Sequence, residues 1–211
     1  MTTTRLCIVR HGETDWNTER RIQGHIDIAL NASGHQQAGA TARGLAGYRF
    51  AALYSSDLTR AMQTASVLGR TAGLPIRTES GLRERHYGRM QGMTHAEMIT
   101  RDAAEAERFR RRDPCHDFGG GETLFDFADR IQLTIGRLAA AHAGQTLLLV
   151  THGGVLDIIY RRASGRDFIS PRDFAVPNAA LNWIEAGHDS WCLLSWADSQ
   201  HLDKALEQSV E

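Results

Sequence analysis

The sequence contains few cysteines, and it has neither a long hydrophobic run nor an excess of charge of one sign. Its three cysteines, Cys7, Cys115 and Cys192, are scattered and form no CxxC pair. They fit no disulfide framework, and Cys115 beside His116 is too isolated for a zinc site. This pattern indicates a reducing compartment.

The missing hydrophobic run excludes a transmembrane segment, because no stretch of the sequence approaches the length that a membrane span needs. The first residues, MTTTRLCIVR, also lack the apolar core of a secretory signal. We therefore expect a cytoplasmic protein with no membrane partner.

The balance of charge argues against a nucleic-acid partner. The 24 lysines and arginines stand against 25 aspartates and glutamates, which gives a formal net charge of -1. One arginine-rich stretch, RFRRR at 108–112, could form a nucleic-acid patch. Its acidic neighbours Glu105, Glu107 and Asp113 favour a solvated helix face instead.

Short apolar runs alternate along the chain with segments of helical periodicity. Strands are predicted at 6–9, 50–56, 75–78 and 146–150, with a late hairpin at 179–186 and 191–197. Helices are predicted at 31–47, 57–73, 97–113, 124–138 and 155–162. This alternation predicts an α/β fold, a three-layer α/β/α sandwich with a mostly parallel central sheet.

The length of 211 residues suits one domain over 1–211, with 93–120 as a short insertion or lid and 199–211 as a polar tail. Ser56 or Asp57 is expected to cap the helix at 57–73. The glycine-rich FGGGET at 118–123 is expected to be a flexible loop.

Two predicted strands end in a histidine followed by a glycine, at His11-Gly12 and at His152-Gly153. In a parallel sheet the ligand crevice lies outside the carboxyl ends of the strands, so the two histidines are expected to converge. A glycine lets a ligand approach the backbone amide closely, and the helix starts that follow favour anions. The pattern predicts an anion site.

Two arginines are candidates for holding the anion. Arg10 precedes the first histidine, and Arg60 lies near the start of the helix at 57–73. An arginine in the first turn of a helix opposes the helix dipole, which favours a guanidinium fork on a phosphate oxyanion. A purely structural alternative is an ion pair of Arg60 with Asp57 or Glu79.

A carboxylate near this site is a candidate general acid. Glu84 lies in GLRERHYGRMQG, after an expected strand-to-loop transition. Beside an anion, a carboxylate is expected to be held partly protonated, as a general acid must be. An ion pair with Arg83 or Arg85 is the alternative. The spacing of the ten histidines matches no metal template.

Five motifs occur in a fixed order: RHGETDWN, SSDLTRAMQTA, LRERHYGRMQG, GGGET and VTHGG. This set resembles the histidine phosphatase superfamily, in the branch that includes cofactor-dependent phosphoglycerate mutases and related phosphatases. The resemblance spans 6–159 and implies a phosphoglycerate mutase-like fold. WNTERRIQGHID and the tail HLD at 201–203 are most similar to the mutase-like phosphatases of bacteria.

The resemblance implies a role for each site residue. His11 is expected to be the nucleophile that becomes phosphohistidine, and Glu84 the acid that protonates the leaving oxygen. Arg10, Arg60 and His152 are expected to hold the phosphoryl oxygens. The expected substrate-binding residues are Thr14, Asn17, Gln23, Gly24, Tyr87 and the backbone amide of Gly153. No metal and no organic cofactor is expected, and the expected assembly is a homodimer.

Three functions are compatible with this resemblance. The favoured function is hydrolysis of a small phosphorylated metabolite through a phosphohistidine. The first alternative is a phosphoglycerate mutase, which would use 2,3-bisphosphoglycerate as cofactor. His95, where a mutase usually has lysine, and the short 93–120 region argue against it. The second alternative is a phosphatase-like binding module without turnover.

Overall fold

A computed structural model describes residues 2–188 and 190–202, and it places six strands in one sheet. The strands are β1 (Thr4–Arg10), β2 (Ala52–Ser55), β3 (Ile76–Thr78), β4 (Thr146–Thr151), β5 (Leu181–Ala186) and β6 (Trp191–Asp198). The helices are α1 (Asp15–Thr18), α2 (Ala32–Gly44), α3 (Thr59–Ala72), α4 (His95–Arg101), α5 (Ala103–Arg110), α6 (Leu124–Ala141) and α7 (Gly153–Ser164). Residues 203–211 of the predicted polar tail lie outside the described residues.

The strand order in the sheet is β3-β2-β4-β1-β5-β6. The first four strands in this order are parallel, and β5 and β6 extend the sheet as an antiparallel hairpin. The predicted mostly parallel sheet is therefore confirmed. The register pairs Arg10 of β1 with Thr151 of β4, so that the two predicted His-Gly motifs start at neighbouring strand ends.

Both faces of the sheet are covered, because successive side chains of a strand point to opposite faces. Leu6 and Ile8 of β1 belong to the core cluster that contains the apolar faces of α6 and α7. Cys7 and Val9 belong to the cluster formed with α2 and α3. This arrangement is the predicted three-layer sandwich. Within 2–188 and 190–202, no helix has the length and apolar character required to cross a membrane.

The helix predicted at 97–113 is instead two short helices, α4 and α5. The chain is extended at Asp102, with φ -159° and ψ 98°, and the Asp102 carboxylate accepts from the Ala104 and Glu105 amides at the start of α5. Periodicity could not reveal this break, because the segment is charged on both sides of Asp102. An aspartate that caps a new helix start is the physical reason for it.

The expected cap of α3 was also wrong. Its N-cap is Leu58, which makes no side-chain cap, and the Thr59 amide donates to Asp27 instead. The two predicted capping groups are used elsewhere. The Asp57 carboxylate pairs with Arg83, and the Ser56 hydroxyl bonds to His152.

The region 93–120 folds around a small apolar cluster of Met90, Met98, Ala106 and Phe118. The glycine-rich segment that was expected to be a flexible loop is a hydrogen-bonded turn. The Asp117 carboxylate accepts from the Gly119 and Gly120 amides. A Cβ on Gly121 would lie 2.3 Å from the His86 carbonyl oxygen, so close packing also requires glycine here.

Candidate active site

The strand ends of β1 and β4 bring the two histidines together. The His11 amide donates to the Thr151 carbonyl over 2.9 Å, which continues the β1–β4 ladder by one residue. The rings of His11 and His152 then lie with their centroids 5.2 Å apart. Residues that are 141 positions apart in the sequence therefore form one site, because the parallel register aligns their strand ends.

His11 is buried, and its tautomer follows from one hydrogen bond. Its Nδ1 lies 2.7 Å from the Gly12 carbonyl oxygen, which can only accept, so Nδ1 carries the proton and Nε2 keeps its lone pair. Burial lowers the pKa of His11 well below its usual range, and Arg60 and Arg10 lower it further. The ring is therefore a neutral nucleophile near pH 7.

His152 is also buried. Its Nε2 lies 2.7 Å from the Ser56 hydroxyl, and its Nδ1 has no hydrogen-bond partner among the described residues. Since Ser56 Oγ accepts from the Leu58 amide, its proton is available for Nε2. Burial lowers the pKa of His152 well below its usual range, as does Arg60. A neutral His152 ring that carries its proton on Nδ1 can donate a hydrogen bond from Nδ1 to an anion.

The glycines that follow the two histidines have different roles. The Gly12 amide donates to Thr64 Oγ1, and a Cβ on Gly12 would lie 2.4 Å from the Gly34 carbonyl oxygen. The expectation that a ligand approaches this amide is therefore wrong, because α2 occupies the space. At Gly153, a Cβ would lie 3.4 Å from the Arg10 guanidinium, beside the open site.

Arg60 is fully buried, and no carboxylate of the described residues is in hydrogen-bond contact with it. The two partners that the structural alternative proposed are engaged with other arginines, Asp57 with Arg83 and Glu79 with Arg137. The ion-pair interpretation of Arg60 is therefore wrong. A buried guanidinium without a bonded carboxylate is the arrangement that an anion site requires.

Backbone carbonyls fix both arginines of the site. Arg60 donates to Gly24 O over 2.7 Å and to Ile26 O over 3.0 Å, and Arg10 donates to Val176 O over 2.7 Å. The Nε atoms of both arginines have no partner within the described part of the chain. Burial lowers the pKa of each to about 10, so both remain cations at pH 7.

Glu84 is held by two backbone amides rather than by an arginine side chain. Its Oε1 accepts from the Arg85 amide over 2.8 Å, and its Oε2 from the Gly154 amide over 2.9 Å. The side chain of Arg83 pairs with Asp57, and that of Arg85 donates to backbone carbonyls. The predicted alternative for Glu84 is therefore wrong. A Cβ on Gly154 would lie 2.2 Å from Glu84 Oε1, which explains the second glycine of VTHGG.

Thr14 and Asn17 form a reciprocal cap at the start of α1. Asn17 Oδ1 accepts from the Thr14 amide over 3.1 Å and from Asn178 Nδ2 over 3.3 Å, so its own Nδ2 remains available to a ligand. Thr14 is fully buried and lies behind Asn17. Of the two predicted ligand contacts, the structure brings Asn17 to the cavity wall and leaves Thr14 as its support.

Two cavities that share lining residues contain the predicted site residues other than Thr14 and His152. The inner cavity, of about 160 Å³, is lined by Arg10, His11, Asn17, Gln23, Gly24, Arg60, Glu84 and Tyr87. The outer chamber, of about 420 Å³, shares Arg10, Glu84, Tyr87 and Phe109 with it and also reaches Gly153. Burial raises the pKa of Tyr87, so its hydroxyl stays protonated. Gln23 contributes a buried Oε1 without a partner among the described residues.

Sequence reasoning missed several residues that shape this site. Ser56 orients His152, Gly154 donates to Glu84, and Asn178 donates to both the His11 carbonyl and Asn17. The repeated serine of SSD and the repeated glycine of HGG were available as signals for the first two. Asn178 lies in an irregular segment before β5, where no pattern marks it.

The geometry defines a class of enzyme. A neutral histidine faces the buried guanidinium of Arg60, the half-buried guanidinium of Arg10 and a second histidine, and a backbone-held carboxylate lies across the cavity. No group of three or more His, Cys, Asp or Glu side chains within 2–188 and 190–202 could hold a metal ion. The site suits transfer of a phosphoryl group to histidine, with charge stabilisation by arginine.

Comparison with known proteins identifies the family. The profile of the histidine phosphatase superfamily (branch 1) matches residues 6–199, and the chain belongs to this family. Phosphoglycerate mutase-like protein 4 of Arabidopsis thaliana is 38% identical over 94% of this chain and 87% of its own. The metal-independent phosphoserine phosphatase of the same plant is 37% identical over 94% of this chain and 83% of its own.

A solved structure supports the same assignment. The native structure of a mycobacterial glucosyl-3-phosphoglycerate phosphatase superposes with a TM-score of 0.83 at 33% identity, covering 93% of this chain and 100% of that one. The predicted family and fold are confirmed, and the protein is a histidine phosphatase.

Proposed function

We propose that the protein hydrolyses small phosphomonoesters through a phosphohistidine on His11. The observation that carries this proposal is the tautomer of His11, whose Nε2 lone pair lies in a cavity with two cations, Arg10 and Arg60. Nε2 attacks phosphorus as the ester oxygen leaves. Glu84 gives its proton to that oxygen, so a neutral alcohol departs.

The second half of the reaction regenerates the enzyme. A water molecule enters where the alcohol left. The Glu84 carboxylate takes a proton from this water as the water oxygen attacks phosphorus. The bond between phosphorus and Nε2 breaks, inorganic phosphate leaves, and His11 returns to its neutral form. Both amide bonds to Glu84 keep the carboxyl group in place for its two roles.

The protein's own cations stabilise the charge on the phosphoryl oxygens. Arg10 and Arg60 supply fixed positive charge, His152 supplies its Nδ1 proton, and Asn17 its Nδ2 protons. The Gly153 amide lies in the first turn of α7, where amides have no partner within the helix. These groups replace the metal ion that many phosphoryl-transfer enzymes use. A relative named as metal-independent supports this part of the proposal.

We favour hydrolysis over a mutase reaction because the site offers water a route to the phosphohistidine. The region 93–120 contributes only two short helices, and His95 is exposed on α4 and does not line either cavity. A mutase must hold a bisphosphorylated intermediate away from water, with cations for its second anionic group. Position 95 supplies no such cation.

Product analysis tests the choice between the two reactions. We expect release of inorganic phosphate from 3-phosphoglycerate to exceed its conversion to 2-phosphoglycerate when 2,3-bisphosphoglycerate is present. Interconversion tenfold faster than hydrolysis would establish the mutase instead. A chelator should leave the rate unchanged, and vanadate should inhibit because it mimics five-coordinate phosphorus. A rate that falls in chelator and returns with Mg²⁺ or Zn²⁺ would contradict the metal-free mechanism.

A further inference from the structure

The outer chamber contains a buried carboxylate that the proposed reaction does not use. Asp157 of α7 lines the chamber and is 3% exposed. Its Oδ2 accepts from Arg161 Nε over 3.1 Å and from Arg112 Nη2 over 2.5 Å. Its Oδ1 has no hydrogen-bond partner within the described residues. A buried acceptor without a partner is costly and requires an explanation.

The arginine that shares this ion pair also has a free donor. Arg161 is 1% exposed, and its Nη2 lacks a partner in the described part of the chain. The cluster of Asp157, Arg161 and Arg112 thus carries one unsatisfied acceptor and one unsatisfied donor. A hydroxyl group both donates and accepts, whereas an ammonium only donates and a carboxylate only accepts.

Asp157 lies near the expected position of the leaving group, the alcohol that departs from phosphorus. Asp157 follows Gly153 by four residues, so it lies on the same side of α7 and about 6 Å further along the helix. Glu84, the proposed proton donor, lines both the inner cavity and the outer chamber. The ester oxygen that Glu84 protonates is therefore expected where the inner cavity meets the outer chamber. The leaving group then extends into the chamber that Asp157 lines.

The positive charge around Asp157 favours a neutral group of the ligand over a cationic one. Arg112 and Arg161 both bind its Oδ2, so the cluster has a net positive charge. The exposed Arg172 and the buried Arg85 line the same chamber and pair with no carboxylate among the described residues. This field opposes an ammonium group and leaves a hydroxyl as the preferred donor.

We propose that Asp157 is a specificity residue that binds a hydroxyl of the leaving group, so that the enzyme prefers phosphate esters of polyols or sugars. The proposal rests on the proposed function, because it assumes that the ester lies between His11 and the outer chamber. Asp157 Oδ1 accepts a hydrogen bond from the hydroxyl group. The apolar walls of Phe109 and Phe127 then face the carbon chain.

Three esters of equal chain length test the proposal in the unaltered enzyme. Glycerol 3-phosphate carries two hydroxyls, propyl phosphate carries none, and 3-aminopropyl phosphate carries an ammonium. We expect kcat/KM for glycerol 3-phosphate to exceed that for propyl phosphate by about 10- to 100-fold, the effect of one hydrogen bond to a charged group. A ratio near one, or 3-aminopropyl phosphate as the best of the three, would overturn the proposal.

A variant ties the preference to the carboxylate. Asp157→Ala should reduce the ratio of the two kcat/KM values to about threefold or less, whereas Asp129→Ala, an exposed aspartate of α6, should keep the ratio. Partial unfolding lowers both kcat/KM values equally and leaves the ratio unchanged. Asp157→Asn serves if the alanine variant does not fold. An unchanged ratio in a folded variant would show that Asp157 only holds its arginines or a water.

Binding separates this proposal from the proposed function. Calorimetry with the His11→Ala variant should show tighter binding of glycerol 3-phosphate than of propyl phosphate, although no turnover occurs. If the native enzyme hydrolyses no ester while this preference persists, the proposed function fails and the specificity role of Asp157 stands. If both esters bind equally, the specificity role fails by itself.

Discussion

The arginines next to His11 in the inner cavity and the arginines next to Asp157 differ in how they are held. Next to His11, Arg60 is buried and Arg10 is half-buried; both donate to backbone carbonyls, and neither has a bonded carboxylate among the described residues. Next to Asp157, Arg112 and Arg161 both pair with its carboxylate. A buried cation that no carboxylate neutralises binds an anion strongly, whereas a paired one contributes mainly shape.

The two regions also come from different parts of the fold. The inner cavity lies at the carboxyl end of β1, where the register with β4 fixes Arg10 and His11, and Arg60 of α3 lines it as well. The outer chamber is built from α5, α7 and the irregular segment before β5. We infer that the sheet fixes the chemistry and that the surrounding segments select the leaving group. Substitutions in the inner cavity should therefore cost far more activity.

The largest loss of activity that depends on the substrate is expected at Glu84, which lines both the inner cavity and the outer chamber. Glu84→Gln should slow hydrolysis of alkyl phosphates by about 10²–10⁴-fold, because the leaving oxygen loses its proton donor. With p-nitrophenyl phosphate, whose leaving group needs no proton, formation of the phosphohistidine should be affected much less, although the later attack by water slows. Single-turnover rates of ester cleavage with enzyme in excess check this for both esters, with Glu185→Gln on β5 as the control. Equal losses on both esters would indicate a structural role.

Arg60→Ala should reduce kcat by about 10²–10³-fold, the effect of removing one donor that stabilises transition-state charge. Arg60→Lys keeps the charge but loses the two-pronged geometry, so it should recover only part of the rate. Arg70→Ala on the exposed face of α3 is the control for the same helix. Full activity in the lysine variant would show that charge alone is sufficient.

Gly154→Ala tests the support of Glu84 without removing a functional group. The new Cβ would lie 2.2 Å from Glu84 Oε1, so the carboxylate must move. A misplacement of this size should cost about 10²-fold in kcat on alkyl esters. Gly136→Ala in α6, where a Cβ meets nothing within 4 Å, should keep full activity. An active Gly154→Ala enzyme would mean that the position of Glu84 is not critical.

The smallest loss of activity is expected at Arg172, which lines the outer chamber. Arg172 is exposed and makes no ion pair with the described residues, so its attraction for the anionic phosphate group of the substrate is screened by solvent. Arg172→Ala should lower kcat/KM by about fivefold or less, and the loss should shrink as salt increases. A loss comparable with that of Arg60→Ala would remove the distinction between the two regions.

The sequence predicted the sheet well, because local patterns specify the strands; most of the predicted site residues line the inner cavity, and their roles stay predictions. Apolar runs gave the strands, and the two His-Gly motifs marked neighbouring strand ends. The break at Asp102 was missed because charged residues surround it. Asp157 was missed because, on an amphipathic helix, a polar residue usually faces solvent. Its burial depends on Arg112, which is far away in the sequence and reaches it only in the folded chain.

The central claim is that a covalent phosphate forms on His11. We would mix the enzyme with a labelled phosphomonoester and stop the reaction in denaturant at alkaline pH, because the phosphorus–nitrogen bond of phosphohistidine breaks in acid. Glu84→Gln with p-nitrophenyl phosphate should accumulate the intermediate, since attack by water then lacks its base. The account predicts label on the peptide that contains His11, and none in His11→Ala. Label on another residue, or a labelled His11→Ala enzyme, would contradict it.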